Sequence, residues 1–298
     1  MTLKDSRGLE VYNLYEEIGG LKLGLIHAPL TKLGFSFNID NIRQIIKYAG
    51  KMGIKTLVLP PFMPYGVNSD AGRETLKSIS INRRNPYVRI LKHLARLNTA
   101  YIISPYIVEK SRSFYHVSNL LIDGEAGVSK FFSRKILLSQ QEVQANIKPG
   151  ASIDVISDLY LKYSILLDED VLALELSRLM SYIGVDVLLI TIRQLPPYLE
   201  LLSVAKALQV FTGLTVIHTG YIIEEGSNIV DANPTIIVLP DGKIHVFNQN
   251  NPVLVTIPLK ILKESKRTTD LDKTRRVLSI TLQYLRKIRR YKDFRTII

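Results

Sequence analysis

The chain has 298 residues, 46% of them hydrophobic, with 39 Lys+Arg against 27 Asp+Glu for a formal net charge of +12. It contains no cysteine, which excludes a disulfide scaffold, a Cys-ligated zinc or iron-sulfur centre and a cysteine nucleophile. The length and apolar content suffice for one large α/β domain, and no apolar run approaches the roughly 20 residues needed to span a bilayer.

The first elements follow an alternating pattern. Lys22 to His27 reads as a strand, and Asp40 to Met52 carries Ile42, Ile45, Ile46 and Ala49 at helical spacing before Gly53 closes it. Thr56 to Leu59 is a continuous apolar run, expected of a strand covered on both faces, and Pro60-Pro61 stops it. Pro86 to Leu97 predicts a second helix and Tyr101 to Ser104 a third strand. Phe114 to Ile122 and Val128 to Phe132 then read as a hairpin across Asp123-Gly124.

The second half repeats the outline. A strand at Tyr163 to Leu167, a helix to about Ile183 and a strand at Val185 to Ile190 come first. A helix at Leu201 to Phe211 and a strand at Leu214 to His218 follow, and Pro234 to Leu239, Ile244 to Phe247 and Val253 to Ile257 close the body as antiparallel strands. No Pro/Gly/Ser-rich linker divides the halves, so the expectation is a single mixed α/β body, residues 1 to 259, of two sheets covered by helices.

Residues 260 to 298 form a basic extension with thirteen Lys/Arg against four Asp/Glu, a net of +9, so the preceding 259 residues carry only +3. From Asp270 to Phe294 the pattern is helical. Val277, Ile280, Tyr284, Ile288 and Tyr291 fall at steps of three and four, widened by Leu278, Leu282 and Leu285. Arg275, Arg276, Arg286, Lys287, Arg289, Arg290 and Lys292 crowd the same segment. The bland reading is an amphipathic helix packing on the body or a second subunit with solvated arginines; the functional one adds contacts to phosphates. A second basic cluster pairs Arg83 and Arg84 with Arg89, Lys92 and Arg96, the last three on one helical face. Nucleic acid or an acidic protein is the partner class these charges predict.

The order of elements and several local motifs resemble the nitrilase superfamily, the carbon-nitrogen hydrolases that cleave amides and nitriles with a Glu-Lys-Cys triad. The resemblance covers roughly residues 20 to 258. Where that family has Leu-Pro-Glu at the end of its second strand, this chain has Leu59-Pro60-Pro61, putting Pro61 at the position of the general base. Asn119, Asp123-Gly124, Arg134-Lys135 and Glu142 match the family hairpin, its lysine and its second glutamate in order. The family's Cys-x-Asp motif, followed by a helix with an Arg before Gly-Ala-Asp, resembles Leu166-Leu167-Asp168 leading to Arg178 and Gly184-Val185-Asp186. That alignment puts Leu166 at the nucleophile position, although the helix after Asp168 is then about two residues too long.

The resemblance implies an α-β-β-α sandwich of two mixed sheets and a homodimer. It also implies a chain without catalytic residues, a pseudoenzyme acting as a binding or scaffold module. Lys135 and Glu142 are then expected as a buried ion pair or as the remnant of a ligand pocket, and Asp168 as a helix cap. A protein-protein or regulatory homodimer, and an enzyme using Lys135 and Glu142 in other chemistry, are the competing readings. Neither a metal nor another cofactor is expected, because the five histidines are scattered without ligand spacing and no nucleotide-binding fingerprint is present. With no signal-peptide pattern at the N-terminus, the expected location is cytoplasmic.

Overall fold

The computed structural model describes residues 2–4, 8–67, 72–98, 100–158, 160–195 and 199–263. The C-terminal basic segment, with Arg275, Arg276, Arg286, Lys287, Arg289, Arg290 and Lys292, lies outside the described residues. Among the described residues no helix is long and apolar enough to cross a membrane.

The chain opens with β1 (Thr2–Lys4), β2 (Glu10–Asn13), β3 (Lys22–His27) and β4 (Pro29–Thr31), then α1 (Phe35–Lys51) and β5 (Ile54–Val58). Next come α2 (Arg73–Ile79), α3 (Pro86–Asn98), β6 (Tyr101–Ser111), β7 (Phe114–Asp123) and β8 (Val128–Phe132). The second half runs α4 (Gln140–Gln144), β9 (Ile156–Ser157), β10 (Lys162–Leu167), α5 (Glu169–Leu172), α6 (Leu174–Tyr182) and β11 (Val187–Thr191). It continues through α7 (Leu201–Thr212), β12 (Thr215–His218), β13 (Tyr221–Glu225), β14 (Asn228–Asn233) and β15 (Thr235–Val238). β16 (Ile244–Phe247), β17 (Val253–Pro258) and α8 (Leu259–Lys263) complete it.

Two mixed sheets stack face to face. One has eight strands in the order β1-β2-β17-β3-β5-β6-β7-β8 and the other six, β16-β15-β12-β11-β10-β9. β3, β5 and β6 run parallel, as do β10, β11 and β12, because α1, α3, α6 and α7 supply crossover connections in each half. Strand alternation sorts the side chains. Leu25, Val58 and Ile103 of the first sheet meet Ile165, Leu167 and Leu189 of the second in one shared core.

The outer faces are covered by helices. Ile39, Ile42, Ile45, Ile46 and Ala49 of α1 pack with Val88, Leu91 and Leu94 of α3 against Ile26 and Leu57. Met180 and Leu208 of α6 and α7 pack against Leu166, Leu188 and Val216. The result is an α-β-β-α arrangement, and β17 ties the halves together by returning between β2 and β3 of the first sheet.

Three expectations need correction. A third, three-stranded sheet, β14-β13-β4, joins residues the sequence left unassigned. The single helix expected to reach Ile183 is broken at Ala173, whose extended backbone separates α5 from α6. The strand expected to stop at Ser104 runs on to Ser111 through an irregularity between Ser104 and Ile107, where Tyr106 takes a φ of +50°. That irregularity re-aims Tyr106 inward.

Candidate functional site

Lys135 follows β8 in a segment held by backbone bonds rather than by regular structure. Ser133 N–H donates to Asp154 Oδ2 at 2.9 Å, Lys135 N–H to the Val117 carbonyl at 2.8 Å, and Ile136 and Leu137 N–H to the Asp170 carboxylate at 2.9 and 2.7 Å. Arg134 points away, forming a two-pronged pair with Glu109 at 2.7 and 2.8 Å. The Lys135 side chain is left entirely buried, and Glu142 Oε2 lies 2.7 Å from its Nζ. Glu142 is fixed by a capping box at the start of α4: Ser139 Oγ accepts from Glu142 N–H, and Glu142 Oε2 accepts from Ser139 N–H at 2.8 Å.

Asp168 sits at a sharp strand-to-helix elbow where β10 ends and α5 begins, with φ +47° and ψ −114°. A non-glycine residue holds such a backbone only when its surroundings over-determine it. Those surroundings are specific: Asp168 N–H donates to the Thr191 carbonyl at 2.9 Å. Its Oδ2 accepts from Arg193 Nε at 2.8 Å, Lys135 Nζ at 3.1 Å and the Tyr106 hydroxyl at 2.5 Å. Oδ1 accepts from Arg193 N–H at 2.9 Å. Arg193, just past β11, also lays its guanidinium 5.4 Å from the Tyr106 ring centroid and brings Nη2 to 3.8 Å from Glu142 Oε1. Glu169 completes the cluster with Oε2 at 2.5 Å from Lys135 Nζ, and at 42% side-chain exposure it alone reaches substantially to solvent.

Three carboxylates thus share two cations in a space closed by rings. Phe62 packs edge-on against Tyr106 and Tyr221 at centroid distances of 4.7 and 4.8 Å. Behind it the Tyr221 hydroxyl donates to Asp231 at 3.1 Å.

The electrostatics follow from burial and pairing. Burial opposes the Lys135 charge, but Asp168 and Glu142 outweigh it and lift its pKa above the ordinary lysine value. For Asp168 burial likewise favours the neutral form, yet Arg193 and Lys135 hold it below the usual carboxylate range. Tyr106 is pushed well up, first by burial and then by the Asp168 charge. Asp170 rises to about 6 because burial exceeds the help of the Ile136 and Leu137 N–H groups.

Chemically, this arrangement is saturated. A carboxylate whose lone pairs take four donors is a weak nucleophile, and the carboxylates beside it, Glu142 and Glu169, are themselves paired with Lys135. The neighbouring His218 is buried and its pKa is lowered to about 4. Its Nδ1 lies 2.8 Å from the Pro234 carbonyl, which makes Nδ1 the donor and leaves Nε2 accepting from Ile192 N–H at 3.2 Å. Among the described residues no three His, Asp or Glu side chains form a set suited to a metal ion.

The expected residues divide. Lys135 and Glu142 are brought together. Leu166 is not beside them: it points to the opposite face of β10, among Val171, Met180 and Leu188, because Ile165 and Leu167 take the inter-sheet face. The elbow residue next to Lys135 is Asp168, and its carboxylate makes no capping bond to α5, contrary to the expected cap. Pro61 is buried, but the side chain that meets the Tyr106 wall from this segment is Phe62. Ser164 Oγ bonds the Asp154 carbonyl at 3.3 Å, outside the cluster. Arg83, Arg84, Arg89 and Arg96 are exposed in and before α3, and among the described residues none of them pairs with a residue of the cluster. Asp168, Glu169, Arg193 and Tyr106 are the site residues that sequence reasoning missed or misassigned.

No family model matches the sequence, and no curated protein does. Solved structures do. The carbon-nitrogen hydrolase from Helicobacter pylori G27 superposes with a TM-score of 0.67 at 14% identity, over 86% of this chain and 96% of that one. A mutant of the amidase from Nesterenkonia sp. AN1, bound to butyramide, gives 0.63 at 19% identity over 85% and 96%. Another mutant of that amidase, which is assigned to the nitrilase superfamily, gives 0.62 at 19% over 85% and 97%. The fold is the nitrilase-superfamily fold. Other structures of the Nesterenkonia amidase carry acrylamide or acetamide groups on an active-site cysteine; this nitrilase-fold chain has no cysteine at all.

Proposed function

We propose that this chain is a non-hydrolytic protein of nitrilase fold, a pseudoenzyme that works as a binding or scaffold module. The observation that carries the reading is Asp168. It occupies the strained elbow beside Lys135 and Glu142, where a hydrolase of this fold would present its nucleophile, and its carboxylate is tied to Lys135, Arg193 and Tyr106. The side chains of Lys135 and Glu142 have no accessible surface, and Arg193 packs against the same cluster, its Nε 2.8 Å from Asp168 Oδ2 and its Nη2 3.8 Å from Glu142 Oε1. On this reading the charges that activate an amidase have been turned into a closed ionic core.

The test is turnover. Ammonia release from a panel of aliphatic and aromatic amides and nitriles should not exceed that of the Asp168→Asn variant; release above that control overturns the reading.

A homodimer belongs to the proposal, supported by an apolar surface on the second helical layer, where Leu179 and Ile183 of α6 and its C-terminus and Val210 and Phe211 of α7 are exposed at 39% to 64%. Sedimentation of the wild type against Val210→Glu checks it, the expected result being a dimer that the glutamate dissociates. Association with nucleic acid through basic segments is the third element, resting on the +9 carried by residues 260 to 298 and on the exposed Arg83 and Arg84.

A further inference from the structure

We infer that a basic groove at the open end of the first sheet binds single-stranded nucleic acid. The groove is formed where the loop before α3 meets the tip of the β6–β7 hairpin, and it encloses about 990 Å³. Arg83, Arg84, Lys110, Arg112 and Arg134 line it together with the half-buried ring of Phe131. Only one carboxylate, Glu109, is among its walls, and that one is consumed by Arg134. Arg83, Arg84, Lys110 and Arg112 form no ion pair among the described residues and are exposed. Four unneutralised cations converging on one concave surface are costly to hold together unless an anion is to be met there.

The geometry selects the kind of polyanion. The loop carrying Arg83 and Arg84 is anchored to β6, since Ile81 N–H donates to the Val108 carbonyl and Lys110 N–H to the Ile81 carbonyl, both at 2.8 Å. The cations are therefore presented from a fixed frame. Glu109 holds Nε and Nη2 of Arg134, keeping its guanidinium at the groove wall. One ring accompanies the charges in the groove wall, Phe131; outside the groove lining, at the hairpin tip, Phe114 is 44% exposed with Lys148 Nζ 5.5 Å over its ring. Cations tracking a backbone beside flat apolar faces suit an unpaired strand, whose bases are free to stack, better than a duplex or an acidic peptide.

The inference deepens the nucleic-acid element of the proposed function, with which it shares Arg83 and Arg84, and it does not depend on whether the buried cluster is inactive. The test is fluorescence anisotropy of labelled oligouridylate and oligothymidylate with the full chain. If the four free cations each neutralise a phosphate, the slope of log affinity against log salt is about −3, so raising salt from about 50 to about 200 mM weakens binding roughly 50-fold. The double variants Arg83→Glu/Arg84→Glu and Lys110→Glu/Arg112→Glu, all at exposed positions, should each lower affinity at least about tenfold and flatten the slope by about half. Unchanged melting would show that the fold is intact. Absence of binding at low salt, or groove variants that bind as the wild type does, overturns the inference. Loss of binding in Arg289→Glu/Arg290→Glu alone would leave the broader nucleic-acid reading standing while overturning this one. Competition by duplex or by polyglutamate as effective as that by the single strand also overturns it.

Discussion

Replacing Lys135 by Met tests the closed ionic core directly. The methionine keeps the length and apolar stem of the lysine, so the perturbation is the loss of one charge and its donors. Nζ holds Glu142 at 2.7 Å and Asp168 at 3.1 Å, all three side chains being at most 5% exposed. Removing one partner of a buried ion pair typically costs about 3–5 kcal/mol, because the other charge is stranded. Arg193 remains 2.8 Å from Asp168 and 3.8 Å from Glu142, and Ser139 N–H still donates to Glu142, so the expected loss lies near the lower figure, about 3 kcal/mol. The assay is urea unfolding at neutral pH, with an unchanged slope and a lower midpoint.

The pH dependence of that loss gives a second reading. Asp168 has a depressed folded pKa, so its stabilisation is present above the unfolded value of 3.8 and is lost as pH falls through the folded one. Lys135 has a raised folded pKa, so its share is complete below 10.5 and is lost as pH rises through the folded value. The gap between wild type and variant should be widest across the neutral range and narrow at both extremes. A deficit below about 1 kcal/mol, the scale of exposed pairs, or one independent of pH, would refute the argument for a sealed cluster.

Other substitutions probe the remaining claims. Leu166→Ala should cost about 2–5 kcal/mol in urea unfolding through a cavity beneath α6, and its pH profile should match the wild type because Leu166 touches none of the charged groups. Between about pH 4 and 6 the buried His27 and His218, with folded pKa values lowered to about 4, make stability rise with pH, and Asp170, lifted from 3.8 to about 6, opposes part of that rise; Asp170→Ala should therefore steepen the rise, and an unaltered profile would contradict the assignment. In Gly220→Ala the new methyl carbon would lie 2.3 Å from Thr235 N, a backbone atom that cannot swing away, so the unfolding free energy should drop by about 1–3 kcal/mol. A stability equal to wild type would show that β13 can shift at no cost.

Much of the body was legible because its elements are long and periodic. The α1 stripe of Ile42, Ile45, Ile46 and Ala49 faces the first sheet as its spacing required, and β8 and β16 begin and end at the expected residues. Short pieces were not legible. β4 and β9 have three and two residues, too few for a period to register, and exist through their neighbours. The site was half legible. Lys135 and Glu142 follow from local order, but the residue the structure sets beside them is Asp168, two positions past Leu166, and an apolar strand end offers no landmark for it. A second register starts two residues later. Asp168-Glu169-Asp170 keeps the spacing of Cys-x-Asp with Asp170 as its last member, and starting there removes the two surplus residues before Arg178. Asp170 does what a structural carboxylate at that place should do, accepting from Ile136 and Leu137 and so fixing the chain beside Lys135. Arg193 had no signal, since its part depends on β11 lying parallel to β10 and delivering residue 193 to the elbow.

On the proposed non-hydrolytic reading, the cluster gives a physical reason for the fold to persist. The elbow, the buried lysine and the glutamate on its capping box form a frame whose cost in strain and desolvation must be met whatever stands at position 168. In an amidase that cost is recovered in the transition state. Here Asp168 meets it in the ground state, supplying the negative charge that Lys135 and Arg193 require and the acceptor that Tyr106 requires, so each buried group has its partner before any ligand arrives. The carboxylate at 168 and the arginine at 193 are therefore coupled, each leaving the other's charge less compensated if it is removed alone. The double variant Asp168→Asn/Arg193→Gln should accordingly be less destabilised than the sum of its single variants, by an interaction of roughly 1–3 kcal/mol in a double-mutant cycle. Strict additivity would mean that the two residues are neighbours without being partners.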